Sequence, residues 1–376
     1  MPAPSSHWIP PIAPSGAARM AAVRRVPVWP LPVWPLSVRP LGRAVAGGQL
    51  LLRLLILGIA LLGTAAAPCP ARAESPPADW LREWPNTDFT RAAVPFSEII
   101  SGGPPKDGIP AITAPEFLRA SAETALDPRE PVITLELPGA EPRAYPIRYF
   151  IWHEIVNDEV AGVPVAVTYC PLCNSAIVFD RRVDGRTLEF GVTGKLRHSD
   201  MIMYDRQTES WWQQALGEGI VGHYMGRRLR PLTSWMESWA EFRARNPRGL
   251  VMAQPSANRP YGQNPYTRYD SARFPFLYNG EMPPHGIPPL MRVVRVGKRA
   301  WTLERLRKEG EIHEAGLVIS WHPGQASPLD RNAIAEGRDI GTIRVRDEAG
   351  HDVVHDLMFA FAFHAFFPDG EWMLGH

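Results

Sequence analysis

Apolar residues in this chain come mostly in short runs broken by Gly, Pro, Asp and Asn, not at the 3.6-residue spacing of long helices. Residues 131–137 read as a strand and residues 143–146 as its return. Residues 149–156 suit a helical turn or short helix. Residues 164–169 form an apolar, β-branched run that predicts a buried strand ending at Cys170. Two further runs, 176–179 and 188–192, flank Asp184-Gly185, a hairpin signal. Residues 200–204 predict another strand. Residues 234–245 have helical spacing, with Trp235, Trp239 and Phe242 on one face and Pro247 as the stop. A short helix is expected at 116–122. Strands are expected at 291–296, 317–321, 340–346 and 358–363. The pattern predicts an α+β fold, β-dominated, made of antiparallel hairpins and short strands with a few short helices. No nucleotide-binding Gly loop and no clean βαβ alternation occur.

The first 73 residues differ from the rest. Arginines precede or interrupt an apolar run at 54–67, and Ala71-Arg72-Ala73 follows as a small-residue cleavage site. A basic region, an apolar stretch and an A-x-A site make a secretory signal. At 14 residues the run is short for a membrane span. Two expectations stand: residues 1–73 are a cleaved signal peptide, or an uncleaved N-terminal anchor that would give membrane association. Either places the protein in the cell envelope, periplasmic or secreted. Residues 74–95, rich in Pro and polar groups, are expected to be an exposed lead-in to a single β-rich domain over 96–376. The Gly- and Pro-rich stretch 99–110 reads as an ordered loop packed on that domain.

Charge changes the picture little. The formal net charge is +1, and residues 1–73 carry seven Arg and no acid, so the remainder stands at −6. No basic face is suggested, and nucleic acid is not an expected partner.

The candidate chemistry is concentrated at Cys170 and Cys173, two of the three cysteines. The third, Cys69, follows Pro68 in the signal region and fits a lipid-attachment site poorly. Dithiol exchange calls for the first cysteine at a helix N-terminus, where the dipole lowers its pKa; here a strand pattern follows Cys173. A four-cysteine zinc site within one chain is excluded, because there is no second pair. Mixed ligation stays open, with His198 and His153, then Met201 and Met203, as further ligands. Thiolate with imidazole or thioether suits copper, and thiolate with imidazole also suits zinc. A structural Cys170–Cys173 disulfide stays open too, although so short a loop adds little stability.

His153-Glu154 starts like a zincin helix, but position 157 is Asn where the second His should stand. The pair could still serve as a ligand and a proton carrier, or as a hydrolase pair. Leu196-Arg197-His198-Ser199-Asp200 sets imidazole, hydroxyl and carboxylate in a row, which is weak support for a serine hydrolase because triads are a matter of geometry. Tyr204, Asp205 and Arg206 lie in a polar, aromatic stretch and are candidates for groups that support the site or touch substrate.

Several stretches together resemble the bacterial domain-of-unknown-function family 3179. They are Ser101-Gly102-Gly103-Pro104-Pro105-Lys106-Asp107-Gly108-Ile109-Pro110, Trp152-His153-Glu154-Ile155-Val156-Asn157-Asp158, Thr168-Tyr169-Cys170-Pro171-Leu172-Cys173-Asn174, Met203-Tyr204-Asp205-Arg206-Gln207-Thr208-Glu209-Ser210 and Tyr261-Gly262-Gln263-Asn264-Pro265-Tyr266. The resemblance implies an exported or envelope protein and implies no reaction. Three functions therefore remain open: metal-thiolate binding or redox chemistry at Cys170 and Cys173, a non-enzymatic binding module with a structural disulfide, and a hydrolase using His153 and Glu154.

Overall fold

The strand Val163–Cys170 is buried from Pro164 to Cys170, which is why it reads as an unbroken apolar run instead of an alternating one. It pairs antiparallel with Ile155–Val160 on one side and with Ser175–Asp180 on the other. The strands Arg230–Leu232 and Ile112–Thr113 complete this five-stranded sheet at its two edges. The computed structural model describes residues 74–375, and the expected signal or anchor segment, with Cys69, lies outside them.

A second five-stranded sheet runs in the order Ile99–Ser101, Phe190–Arg197, Asp200–Asp205, Trp211–Gln213, Glu218–Val221. One side chain joins it to the first. Asn157 donates through Nδ2 to the Phe190 carbonyl at 2.8 Å, and its Oδ1 accepts from the Phe190 N–H at 2.9 Å. The amide thus fills the place of a missing strand neighbour. A third five-stranded sheet contains Pro131–Leu135 and Arg143–Pro146, and sheets of four and three strands form the C-terminal part. The five α-helices among the described residues have only six or seven residues each. The fold is therefore α+β and strand-dominated. The described residues from Ser75 onward form one compact unit. Among them no helix is long and apolar enough to cross a membrane.

Several local expectations are corrected. Residues 74–95 are not simply an exposed lead-in. The helix Ala78–Glu83 buries Trp80, and Trp84 follows it into the same cluster. Both indoles pack edge-on against Trp211, with ring centroids at 5.0 and 5.3 Å. Residues 117–119 form an edge strand beside Leu250–Met252, not a helix. In the stretch 234–245 the helix begins only at Trp239. Ser238 and Glu241 make a reciprocal capping box there, and Ser234–Ser238 is a strand paired with Pro131–Leu135. Trp235 therefore does not share a helix face with Trp239. The apolar run at the C-terminal end divides into a strand, Asp356–Phe359, and a buried helix, Ala360–Phe366; a short run apolar on every side carries no period to separate the two.

The Asp184-Gly185 turn is present, with φ of 48° and 77°. It closes a two-stranded ribbon, Arg182–Val183 with Arg186–Thr187. The longer strands on either side of that ribbon enter different sheets. The loop over 99–110 is ordered and packed, as expected. Gly194 lies so close beneath it that a Cβ would sit 1.9 Å from the Pro104 carbonyl oxygen.

Candidate functional site

Cys170 closes one strand and Ser175, its register partner, opens the next. Between them the chain reverses through Pro171-Leu172-Cys173-Asn174, and Asn174 takes a left-handed φ of 52°. Asn tolerates this conformation better than most residues. The reversal is held from outside. Tyr269 Oη donates to the Leu172 carbonyl at 3.0 Å, and the Phe359 N–H donates to the Cys173 carbonyl at 2.8 Å. Both cysteines are buried free thiols, so the structural disulfide expected as an alternative is not formed. Both sulfurs turn to the same acceptor, the Ser199 carbonyl oxygen, at 3.9 Å from Cys170 and 3.4 Å from Cys173.

Ser199 belongs to the two-residue reversal between Phe190–Arg197 and Asp200–Asp205. His198 and Ser199 have φ of 51° and 62°. Such a turn favours Asn and Gly, and neither is present. Two residues in this region cost on the order of 1–3 kcal/mol each. The turn aims the Ser199 carbonyl and the Asp200 carboxylate at the sulfurs. One carboxylate oxygen of Asp200 and the two Sγ atoms lie within 4.8 Å of one another, all three residues buried. Asp200 Oδ2 accepts from Gln213 Nε2 at 2.6 Å and from the Ala215 N–H at 3.0 Å. Its Oδ1 is buried and has no N–H or O–H donor, and both thiols lie within hydrogen-bonding reach of the carboxylate.

Glu154 approaches from a third direction. It ends the helix Ile147–His153 with φ 58° and ψ −35°, a rare conformation for a residue with a side chain. Its carbonyl accepts from the Tyr169 N–H at 2.9 Å, which fixes it beside the strand that delivers Cys170. Its side chain is buried, and burial followed by the negative charge of Asp200 pushes its carboxyl up to about 8. Asp200 is itself pushed up to about 6 by burial, which outweighs its hydrogen bonds. Burial likewise raises the Cys170 thiol, and raises Cys173 well above the usual thiol range. Glu154 stays outside the cluster of two thiols and Asp200, but it is near enough for its charge to act on Asp200 and Cys170.

More polar atoms around the thiols are unsatisfied. Asn174 Nδ2, Ser175 Oγ, Gln213 Oε1 and Gln214 Oε1 are buried without a partner. Gln214 is tied to the same strands, donating to Thr168 Oγ1 at 2.9 Å. A buried polar group left unpaired costs about 1–3 kcal/mol, so such a cluster calls for ordered water or a bound group.

A family model described as "Protein of unknown function (DUF3179)" matches residues 106–370. The chain belongs to this family. The DUF3179 stretch contains Glu154, Cys170, Cys173 and Asp200, and leaves the helix Ala78–Glu83 outside. No curated protein and no solved structure matches the chain.

The remaining expected site residues of this DUF3179 protein are divided between the core and other networks. His153 uses both ring nitrogens elsewhere. Nδ1 lies 2.7 Å from the Pro110 carbonyl and Nε2 2.6 Å from Tyr261 Oη. A carbonyl only accepts, so Nδ1 carries the proton and Nε2 accepts from the tyrosine. Burial lowers the pKa of this histidine, which keeps it neutral. His198 sits in the strained turn, but its ring meets Glu98 at 3.5 Å and the rings of Tyr278 and Phe366. Neither histidine joins the sulfur–carboxylate cluster. Met201 and Met203 pack into the main core, the cluster that also holds both cysteines.

Tyr204 and Asp205 are at the far end of the strand that begins at Asp200, about 14 and 17 Å away at ~3.4 Å per residue, and Arg206 follows it. Tyr204 Oη donates to Asp107 at 2.5 Å, and Arg206 pairs with the same carboxylate at 2.9 Å. Asp205 accepts from Thr208 Oγ1 at 2.8 Å and from Trp212 Nε1 at 3.0 Å. These residues pin the Gly- and Pro-rich loop and a turn. Asp200 was visible only as the end of the row His198-Ser199-Asp200. Its signal was a carboxylate at the head of an apolar strand, a place that otherwise selects apolar residues.

Proposed function

We propose that this protein binds a metal ion through Cys170, Cys173 and Asp200, with Glu154 as the fourth ligand or as the proton carrier beside it. The observation that carries the reading is the buried cluster itself, two thiols and a carboxylate oxygen within 4.8 Å of one another. Donor atoms on one zinc at ~2.0–2.3 Å lie less than about 4 Å apart, so the cluster needs only a small closure. Two thiolates and a carboxylate favour zinc; copper would want the imidazole expected from His198 or His153, and neither joins the cluster. A divalent cation would also offset the charge these groups take on when they lose their protons to ligate it. Raised thiol pKa values weigh against dithiol exchange, which works through a low-pKa thiolate. The engaged nitrogens of His153 weigh against a hydrolase built on His153 and Glu154. The reading keeps the export expectation for residues 1–73 and hence a cell-envelope location.

Elemental analysis of protein prepared without chelators, with a thiol count on the denatured chain, tests this. The expected result is about one zinc per chain, lost in Cys170→Ser and in Asp200→Asn while the circular dichroism of the fold persists. Wild-type protein free of metal after zinc dialysis would sink the proposal. An absence of free thiols would restore the disulfide module.

A further inference from the structure

A cavity of about 720 Å³ lies between the segment around Asp270 and the helix Leu303–Glu309, apart from the thiol cluster. Its volume is in the range of sites for small organic molecules, about 300–1,000 Å³. Four arginines line it, Arg273, Arg292, Arg307 and Arg338, against two acids, Asp270 and Glu304. The wall between them is apolar, from Pro288 to Met291.

The charges are not evenly matched. Asp270, fully buried, serves two arginines at once, Arg292 at 3.0 Å and Arg338 at 2.9 Å. Arg292 is itself buried, and its Nε has no hydrogen-bond partner. Arg273 and Arg307 stand exposed at the rim. Neither has a carboxylate partner among the described residues. Each lies over an aromatic ring instead, Arg273 on Phe274 and Arg307 on Trp321. At 5.2 and 5.5 Å from the ring centroids these are cation–π contacts, which occupy no N–H group of the guanidinium. Two guanidinium forks without carboxylate partners at the mouth of an apolar recess match an oxyanion attached to an apolar body.

We propose that this cavity binds a small organic anion, a carboxylate or a phosphate monoester with a short apolar tail, whose charged head is held by Arg273 and Arg307. The site is independent of the thiol cluster. Isothermal titration calorimetry of the protein with hexyl phosphate, hexanoate, hexanol and inorganic phosphate tests it. At least one of the two organic anions is expected to bind saturably, and the tighter of the two names the head group. Hexanol should give no saturable heat, and inorganic phosphate should bind at least tenfold more weakly than the better anion. Arg273→Glu with Arg307→Glu should weaken that anion at least tenfold, with the melting temperature and metal content unchanged; both positions are exposed, so the fold tolerates them. Three results would overturn the proposal: no binding of either organic anion, inorganic phosphate binding as tightly as the better anion, or the double variant binding as tightly as wild type.

Discussion

Glu154 carries the clearest pH consequence at the scale of single residues. Its carboxyl is shifted from an ordinary 4.5 to about 8 in the metal-free fold. Between those values the native state holds a proton that the unfolded chain has released. Stability therefore falls as pH rises through this window and levels off above pH 8, by an amount on the order of a few kcal/mol. Melting curves of chelator-treated protein at pH 5 to 8.5 should show this decline, and Glu154→Gln should flatten it. An unchanged slope in the variant would remove Glu154 as the cause. Bound zinc should reverse the trend, because its ligands bind deprotonated and its affinity rises with pH. The sequence showed the two thiols plainly, since sulfur is scarce in this chain. It hid Asp200, whose role depends on a turn that brings a different strand to the sulfurs. It overvalued His153, because nothing local reveals that Pro110 and Tyr261 occupy both ring nitrogens.

Among the elements, the strands that are buried on both faces were the legible ones. Val163–Cys170, Ser175–Asp180 and Asp200–Asp205 were all foreseen from apolar runs, with ends close to those observed. The failures lie where a capping pair or a tertiary neighbour decides. Ser238 and Glu241 start a helix in the middle of what one face of apolar spacing had made continuous. At the 99–110 loop the deciding contact is backbone on backbone. Gly194 has φ 72° and no room for a methyl group under Pro104. Gly194→Ala should cost more than about 2 kcal/mol, from steric conflict added to a strained φ. Urea unfolding measures this, and a loss under about 0.5 kcal/mol would mean that the loop simply lifts away.

In the whole molecule, the N-terminal helix is part of the fold although it precedes the family match. Trp80 and Trp84 cover Trp211 and Tyr204. A chain beginning at residue 96 would lose both indoles and leave Trp211 open. Truncating a buried Trp costs about 3–5 kcal/mol, so such a chain should melt far below one beginning at residue 74. Equal melting temperatures would show that this cluster contributes nothing. The same scale sets the terms for the thiol cluster. Its sulfurs come from a hairpin of one sheet, its free carboxylate from a hairpin of another, and Asn157 fastens the two sheets together. An unfolded chain holds only the two thiols close together in sequence, with no carboxylate fixed beside them. On the proposed metal reading, the complete chelate exists only after the sheets have closed, so loading would report finished assembly, and the ion taken up would be set by the surroundings in which the last seam is made.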